Sequence, residues 1–183
     1  LMGFKTTPIL RNLFEPEGKA VPMLQGIPIR KRIQFLNEAR YEILKKPVRD
    51  RIRALGIRPA ELTSESVSPL HNIFKRDAGT LRTVEDTWEK FNKAGMYLWT
   101  ASDKFDRYAT FRLGEKSVEY ALKKGTINKL LTPAYFNEQE IKLLKGLLER
   151  GEHQKLAETF GDYLQRKAHV IYQNASNAPF MTN

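Results

Sequence analysis

The sequence predicts an all-α protein, an irregular multi-helix bundle with one long central helix and an extended N-terminal arm. Apolar or small residues from Leu81 to Ala109 recur in alternating steps of three and four, which is the spacing of one helix face. The stretch from Leu81 to Gly125 contains no proline, yet it holds both tryptophans and eight of the nineteen aromatic residues. The period-two alternation of half-buried strands is almost absent elsewhere. These observations together favour helices throughout.

Composition limits the class of protein further. A chain of 183 residues that is 41% apolar can fill the core of one medium domain or two small ones. Cysteine is absent, which excludes disulfides, thiolate zinc sites and cysteine nucleophiles. No apolar run approaches the roughly eighteen residues of a membrane span, and the N-terminus lacks signal-peptide features. The ends at Leu1 and Asn183 fit a segment of a longer protein as well as a processed or tagged chain.

Prolines set the organisation of the first third of the chain. Residues 1–28 contain four prolines, which block helix interiors and predict an extended arm or an irregular lead-in. Pro28 suits the first position of a helix, and Pro47 ends that helix near Lys46 and begins a second one. The side chains predicted to face inward are Ile29, Ile33, Leu36, Ala39, Ile43, Leu44, Val48, Ile52 and Leu55. The predicted division is an arm (1–28), a basic helical hairpin (29–58), a linker with a short helix (59–79), a helical bundle (80–175) and a tail (176–183).

Glycines and capping residues predict the limits of the bundle helices. Gly114 lies inside the long pattern, where it predicts either close helix contact or a break, and we expect a break or kink there. Gly125, preceded by two lysines, predicts the end of this helix. Asn137 and Glu140 have the spacing of a capping box. The last helix is expected from about Glu152 to Asn174.

Positive charge is concentrated in the predicted hairpin. Residues 29–58 contain ten basic and three acidic residues, so they carry seven of the chain's ten excess positive charges. Arginine predominates, and its planar fork matches phosphate oxygens. Such a patch binds a polyanion mainly by counterion release and therefore in a salt-dependent way. An acidic protein partner and a merely solvated face are the alternatives. The candidate residues for nucleic acid or another acidic surface are Arg30, Lys31, Arg32, Lys46, Arg49, Arg51 and Arg53.

No catalytic residue, metal ligand or cofactor is predicted. The three histidines (His71, His153 and His169) are far apart in the sequence and fit no metal motif. Glycine-rich phosphate loops and GxSxG are also missing. Asp103 and Asp106 lie one turn apart beside basic residues, which predicts a solvated ion pairing. An enzyme would need a cleft that gathers Asp, Glu or His residues from separate helices.

The aromatic residues of the long helix have two interpretations. Residues 96–99 are apolar on every side of the helix, which indicates either burial or docking to a partner. Core packing is favoured, and an assembly interface is the alternative because Trp and Tyr are common interface anchors. The residues concerned are Trp88, Phe91, Trp99, Phe105 and Tyr108.

One stretch of the chain is similar to a known family. The runs Phe91-Asn92-Lys93 and Ser102-Asp103-Lys104-Phe105-Asp106-Arg107-Tyr108-Ala109-Thr110-Phe111-Arg112-Leu113-Gly114, followed by Ala121 and Gly125, resemble a helical module of very large multi-domain proteins of tailed phages and mobile elements. Asp103 stands where the module more often has glutamate. The run from Tyr172 to Phe180 resembles the point where such chains leave the module.

The resemblance implies a function that composition alone does not. Some of these large proteins are internal virion proteins that are ejected with DNA, so it implies a non-enzymatic structural or DNA-associated module in the virion interior. The implied partners are DNA or another polyanion, and other virion proteins or a second copy. The first alternative is a stand-alone helical nucleic-acid-binding protein, cytoplasmic if not viral. The second alternative is an enzyme of unrecognised chemistry.

Overall fold

The computed structural model describes residues 15–57, 82–132 and 134–176, and it describes side-chain surroundings mainly within 18–57, 100–132 and 134–168. These residues are helical and include no strand, so the predicted all-α class is confirmed. The predicted linker (59–79), the first fourteen residues and the chain beyond Ser176 lie outside the described residues. The helices are α1 (Glu15–Gly18), α2 (Ala20–Met23), α3 (Ile29–Glu42), α4 (Lys46–Ala54), α5 (Arg82–Lys124), α6 (Ile127–Leu130), α7 (Glu138–Glu149) and α8 (His153–Ser176).

Helix α5 is the centre of the fold. Its 43 residues span about 65 Å at 1.5 Å per residue. The helix is not interrupted at Gly114, so the expected break is wrong. The other option, close helix contact, applies instead, because a Cβ atom built on Gly114 would lie 2.6 Å from the Cα of Gly161 in α8. The helix ends at Lys124, before Gly125 with its φ of +66°, as predicted.

The other helices pack around α5 in a single core. Helix α8 runs antiparallel to α5, since Gly161 lies against Gly114 while the earlier His153 shares a cleft with the later Leu122. Helix α3 packs against α5 as well, and α7 packs against α8. Buried residues of the hairpin and of the bundle belong to the same hydrophobic cluster. The largest fully buried side chains are Met23, Leu24, Leu36, Ile43, Ile52, Tyr108, Phe111, Leu113, Leu130, Leu144, Leu147 and Phe160. The hairpin is therefore part of the folded core.

The described part of the N-terminal arm is not extended. Residues 15–23 form the single-turn helices α1 and α2, and the apolar residues from Ala20 to Ile27 enter the core. Pro22 is tolerated because it lies in the first turn of α2, where a backbone N–H has no intrahelical acceptor. Buried apolar residues at positions 20, 21, 23, 24 and 27 have helical spacing, which the prolines obscure in the sequence.

Helix α3 ends at Glu42, earlier than the predicted Lys46. Pro47 has no N–H to donate to the carbonyl of Ile43, so a continuous helix would leave that acceptor unpaired. The Nη1 atom of Arg49 supplies the missing donor, 3.2 Å from Ile43 O and 2.5 Å from Leu44 O. A turn at residues 43–45 follows, and α4 begins with its proline in the first turn. The turn between α3 and α4 is thus set by one proline and one arginine.

The predicted inward stripe of the hairpin is divided by the structure. Leu36, Ala39, Ile43 and Ile52 are buried, and Val48 is partly buried, as expected. Four other members of the stripe are exposed instead: Ile29, Ile33, Leu44 and Leu55. Helix α3 contacts α5 along one side only, so a stripe wider than the contact leaves apolar side chains outside the core.

The capping box of α7 is confirmed. The amide of Glu140 donates to Asn137 Oδ1 at 2.8 Å, and the amide of Asn137 donates to Glu140 Oε2 at 2.8 Å. Each side chain satisfies a backbone donor that the first turn would leave free. The Glu140 carboxylate also pairs with Lys167 of α8 at 3.0 Å. The Glu140 carboxylate therefore caps α7 and also links its first turn to α8.

Candidate functional site

The basic hairpin, α3 and α4, carries the seven cations that the sequence singles out. Arg32 is used within the fold, because its Nε donates to the carbonyl of Ile27 at 2.6 Å and its Nη1 donates to the carbonyl of Val21 at 3.1 Å. Arg32 therefore links residues 21–27 to α3 by hydrogen bonds. Arg49 satisfies carbonyl groups at the end of α3, as described above. Both guanidinium groups therefore donate to backbone carbonyls within the fold.

Arg51 is the third cation with an internal role. Its Nη1 lies 3.2 Å from Glu115 Oε2 and its Nη2 lies 2.6 Å from Glu115 Oε1, a bidentate pair. Its Nη2 also lies 2.8 Å from Glu158 Oε1 on α8. This guanidinium therefore joins α4 to both α5 and α8. Such a pair holds a carboxylate in a fixed orientation.

The remaining four cations face outward. Arg30, Lys46 and Arg53 are exposed, and within the described part of the chain they make no hydrogen bond or ion pair. Lys31 is also exposed and bonds to the neutral amide of Gln34, with 3.0 Å between Nζ and Oε1. These residues (Arg30, Lys31, Lys46 and Arg53) are called the outer cations below.

The acids of the hairpin face the other way. Glu38 and Glu42 point towards α5, where Lys116 Nζ lies 3.0 Å from Glu38 Oε2 and 2.7 Å from Glu42 Oε1. Arg112 Nε lies 2.6 Å from Glu42 Oε2. Asp50 is the one remaining acid of residues 29–57, and it is exposed. Glu38 and Glu42 therefore neutralise cations of α5, whereas the outer cations remain exposed to solvent.

An ionic cluster thus lies between the hairpin and the bundle, and its members are Glu38, Glu42, Arg51, Arg112, Glu115, Lys116 and Glu158. Its centre is Glu115, whose side chain is 2% exposed. Both Glu115 oxygens accept bonds from guanidinium groups, including Arg112 Nη1 at 2.9 Å. Buried charge is tolerated here because each carboxylate has a bonded cation.

The pKa values within the cluster follow from its geometry. Hydrogen bonds from Lys116 and Gln34 hold the pKa of Glu38 below its ordinary value. Burial raises the pKa of Glu42, but hydrogen bonds from Lys116 and Arg112 outweigh burial and leave the pKa lowered. Burial lowers the pKa of Lys116, and its bonds to both carboxylates outweigh that effect and raise it. All these groups are therefore charged near neutral pH.

Acid is expected to destabilise the docking of the hairpin. The folded-state pKa values of Glu38 and Glu42 lie below the ordinary 4.5. The stability they contribute is therefore complete above that pH and is lost as the pH falls through the folded-state values. Urea unfolding measured at successive pH values should show this loss. The variant Glu38→Gln/Glu42→Gln should start less stable at neutral pH and lose less on acidification.

The exposed carboxyl of Glu149 on α7 provides the control for this titration, because it makes no bond to any described residue. Glu149→Gln should follow the wild-type pH dependence. If the Glu38→Gln/Glu42→Gln variant lost stability on acidification as steeply as the wild type, the two ion pairs would not be the source of the acid sensitivity.

One cleft of about 400 Å³ lies beside the ionic cluster. Glu115, Glu119 and His153 line it together with Arg51 and Arg112, so it does gather acids and a histidine from separate helices. However, both oxygens of Glu115 already accept guanidinium hydrogen bonds, which leaves this carboxylate poorly placed as a base or nucleophile. The more buried of the two acids that line the cleft is therefore already paired with cations.

The other candidate acids and histidines are placed as follows. Asp103 is 4% exposed and pairs with Arg107, with 2.9 Å between Oδ2 and Nε, so the expected solvated pairing is wrong. It is buried because α5 is covered around much of its circumference here, as the neighbouring Ser102 and Tyr108 show. His153 is exposed at the start of α8. His71 and the side chain of His169 lie outside the description. Where the chain is described, no three His, Cys, Asp or Glu residues are arranged to hold a metal ion.

The aromatic candidates fall in two groups. Tyr108 is fully buried and Phe105 is partly buried against the core. Trp88, Phe91 and Trp99 lie on α5, in a stretch whose side-chain surroundings are outside the described residues. The prediction of a core or interface role for these three residues stays a prediction.

Sequence reasoning did not find the ionic cluster. Arg112, Glu115, Lys116 and Glu119 alternate in sign at helical spacing, a pattern typical of a solvated helix face. One signal in the sequence is the position of Arg112 and Lys116. Beyond Ala109 they continue the alternating three-and-four spacing of apolar or small residues that begins at Leu81. Charged residues that continue a helix face on which Ser102 and Ala109 are buried indicate buried pairing, and the partners come from distant helices.

Fold and site together define a class: an all-α protein with a basic outer surface on a hairpin that an ionic cluster joins to the core. Across the described helices, none is long and apolar enough to cross a membrane. Comparison with protein-family models, curated proteins and solved structures finds no match to this chain. Function is therefore inferred below from the surface chemistry.

Proposed function

We propose that this chain is a non-enzymatic helical module that binds a polyanion, with DNA as the expected partner, through its outer cations. The supporting observation is the separation of charge within the hairpin. Glu38 and Glu42 are bonded to cations of α5, whereas Arg30, Lys46 and Arg53 have no bonded acid among the described residues. A cation that gives up no internal pair on binding can release the condensed counterions of DNA at little cost.

The setting of this module is a second proposal that depends on the resemblance described above. It assigns the chain to a phage virion protein, an internal protein that is ejected with DNA. Other virion proteins or a second copy would then contact the aromatic part of α5 around Trp88, Phe91 and Trp99. The stand-alone nucleic-acid-binding protein is the alternative. A gene product that extends for hundreds of residues beyond this segment would favour the module.

Neutralising the outer cations is expected to abolish most salt-dependent DNA binding. The change is Arg30→Gln, Lys31→Gln, Lys46→Gln and Arg53→Gln together. Each phosphate contact contributes about −0.9 to the slope of log affinity against log salt, so four contacts account for roughly a hundredfold affinity change between about 50 and 200 mM salt. Fluorescence anisotropy with a labelled duplex at several salt concentrations measures the slope before and after the change.

The matched control removes the same charge from the other parts of the surface. Lys123, Lys124, Lys142 and Lys145 are exposed, and their replacement by glutamine should leave the slope nearly unchanged. If the slope of log affinity against log salt fell equally in both variants, net charge alone would account for DNA binding. Absence of salt-dependent binding by the unmodified protein would contradict the DNA proposal itself.

A further inference from the structure

The outer side of α3, together with the turn that follows it, exposes apolar side chains. Ile29 is 55% exposed, Ile33 45%, Tyr41 66% and Leu44 61%. At 100° per residue Ile29, Ile33 and Tyr41 fall within about a third of the circumference of α3 and extend over about 18 Å, and Leu44 lies in the turn that follows. These four residues are called the outer stripe below. Single exposed apolar residues are normal, but four along one helix and its following turn form a surface that needs an explanation.

The charges around the outer stripe are almost all positive. Lys45 Nζ lies 5.3 Å from the centroid of the Tyr41 ring, and Arg30 is exposed in the first turn of the same helix. The two acids of α3, Glu38 and Glu42, are bonded to Lys116 and Arg112 on the opposite side of the helix. A surface that combines exposed apolar side chains with cations that have no bonded acid is complementary to a lipid bilayer with anionic head groups.

The middle of the outer stripe argues against a protein helix as the occupant. Asn37 is exposed between Ile33 and Tyr41, so a partner helix packed on this face would bury its amide. Burying an unpaired amide is costly. At the head-group level of a lipid surface the same amide stays hydrated, and lysine and arginine bury their stems while the charge remains in water. DNA phosphates, in turn, gain nothing from exposed isoleucine and leucine.

Tyr41 adds an independent argument. Tyrosine is favoured at membrane–water boundaries, because its ring is apolar and its hydroxyl stays in contact with water. Here the ring is the most exposed of the large apolar side chains of the described residues, and a lysine ammonium lies beside it. We propose that the outer stripe binds the surface of an anionic lipid bilayer, with Ile29, Ile33, Tyr41 and Leu44 entering the head-group region.

Arg30 contributes charge to both proposals, but the four apolar side chains of the outer stripe take no part in the DNA proposal, so the two can fail separately. The test is co-sedimentation with vesicles of phosphatidylcholine and phosphatidylglycerol (two parts to one) and with vesicles of phosphatidylcholine alone. The unmodified protein should sediment with the anionic vesicles and much less with the neutral ones. Ile33→Gln/Leu44→Gln should lower the partition coefficient by at least about tenfold, because two aliphatic side chains no longer enter the bilayer.

Leu143→Gln is the matched control, because Leu143 is comparably exposed at 46% but lies on α7. It should bind anionic vesicles like the unmodified protein, and the affinity of Ile33→Gln/Leu44→Gln for DNA should be unchanged. Lack of vesicle binding, equal binding to neutral vesicles, or an unaltered partition coefficient in the stripe variant would each overturn the inference. Light scattering gives one further outcome that would overturn the inference: a dimeric unmodified protein whose variant Ile33→Gln/Leu44→Gln is monomeric. The outer stripe would then join two copies of the chain.

Discussion

Placing alanine at Gly161 or at Gly114 is expected to lower the free energy of unfolding by about 2 kcal/mol. In most helix interiors glycine to alanine stabilises by about 1 kcal/mol, so the expected sign is reversed. A Cβ on Gly161 would lie 2.7 Å from the backbone oxygen of Phe111, and a Cβ on Gly114 would lie 2.6 Å from the Cα of Gly161. Both clashes are with backbone, so α5 and α8 would have to separate along their closest contact.

Urea unfolding followed by circular dichroism measures the change, and Gly146→Ala is its matched control. Gly146 lies within α7, and a Cβ there would meet only Arg150 Nη1, the mobile end of a side chain, at 3.4 Å. That variant should gain up to about 1 kcal/mol. If all three alanine variants were stabilised alike, α5 and α8 would not approach as closely as the structure shows.

Removing the Glu115 carboxylate is expected to have the largest effect of any charge substitution in the described residues. Glu115→Ala leaves Arg112 at 20% exposure with Glu42 as its remaining close partner, and it leaves Arg51 with Glu158. Breaking a buried ion pair costs about 3 to 5 kcal/mol. Because Arg51 is 41% exposed and can turn to solvent, we expect about 3 kcal/mol, at the lower end of that range.

Glu119→Ala supplies the control, since it removes a carboxylate from the same helix and from the same partner. Glu119 is 53% exposed and lies 3.6 Å from Arg112, so its removal should change the free energy of unfolding by no more than about 0.5 kcal/mol. Thermal and urea unfolding of both variants make the comparison. Equal, small losses would contradict a buried ionic junction between the hairpin and the bundle.

Local signals predicted most of the helices correctly. The capping box at Asn137 and Glu140, the end of α5 before Gly125 and the proline at the start of α4 are confirmed, and each acts through hydrogen bonds or backbone angles within a few residues. Such features need no knowledge of distant parts of the chain. The predicted end of α3 was wrong by four residues. The carbonyl groups that follow α3 accept hydrogen bonds from Arg49, which belongs to the next helix, so the residues of α3 alone do not show where it ends.

Patterns that depend on distant partners were predicted less well. The helical spacing of Ala20 to Ile27 was hidden by prolines that the first turn of α2 tolerates. The apolar stripe of α3 is wider than its contact with α5, so Ile29, Ile33 and Leu44 were predicted inside and lie outside. Of the seven candidate cations, three have internal partners, and their sequence context does not distinguish them from the outer four.

The sequence by itself determined the all-α class, the presence of one long helix without proline, and the concentration of positive charge in residues 29–58. Those properties follow from periodicity, capping and composition, which are local. Only the tertiary structure decided which charges are neutralised, because Glu38, Glu42 and Glu115 meet their cations across 64 to 78 residues of chain. Whether a charged or apolar side chain is buried depends on what packs against it, and that is set when α3, α4, α5 and α8 share one core.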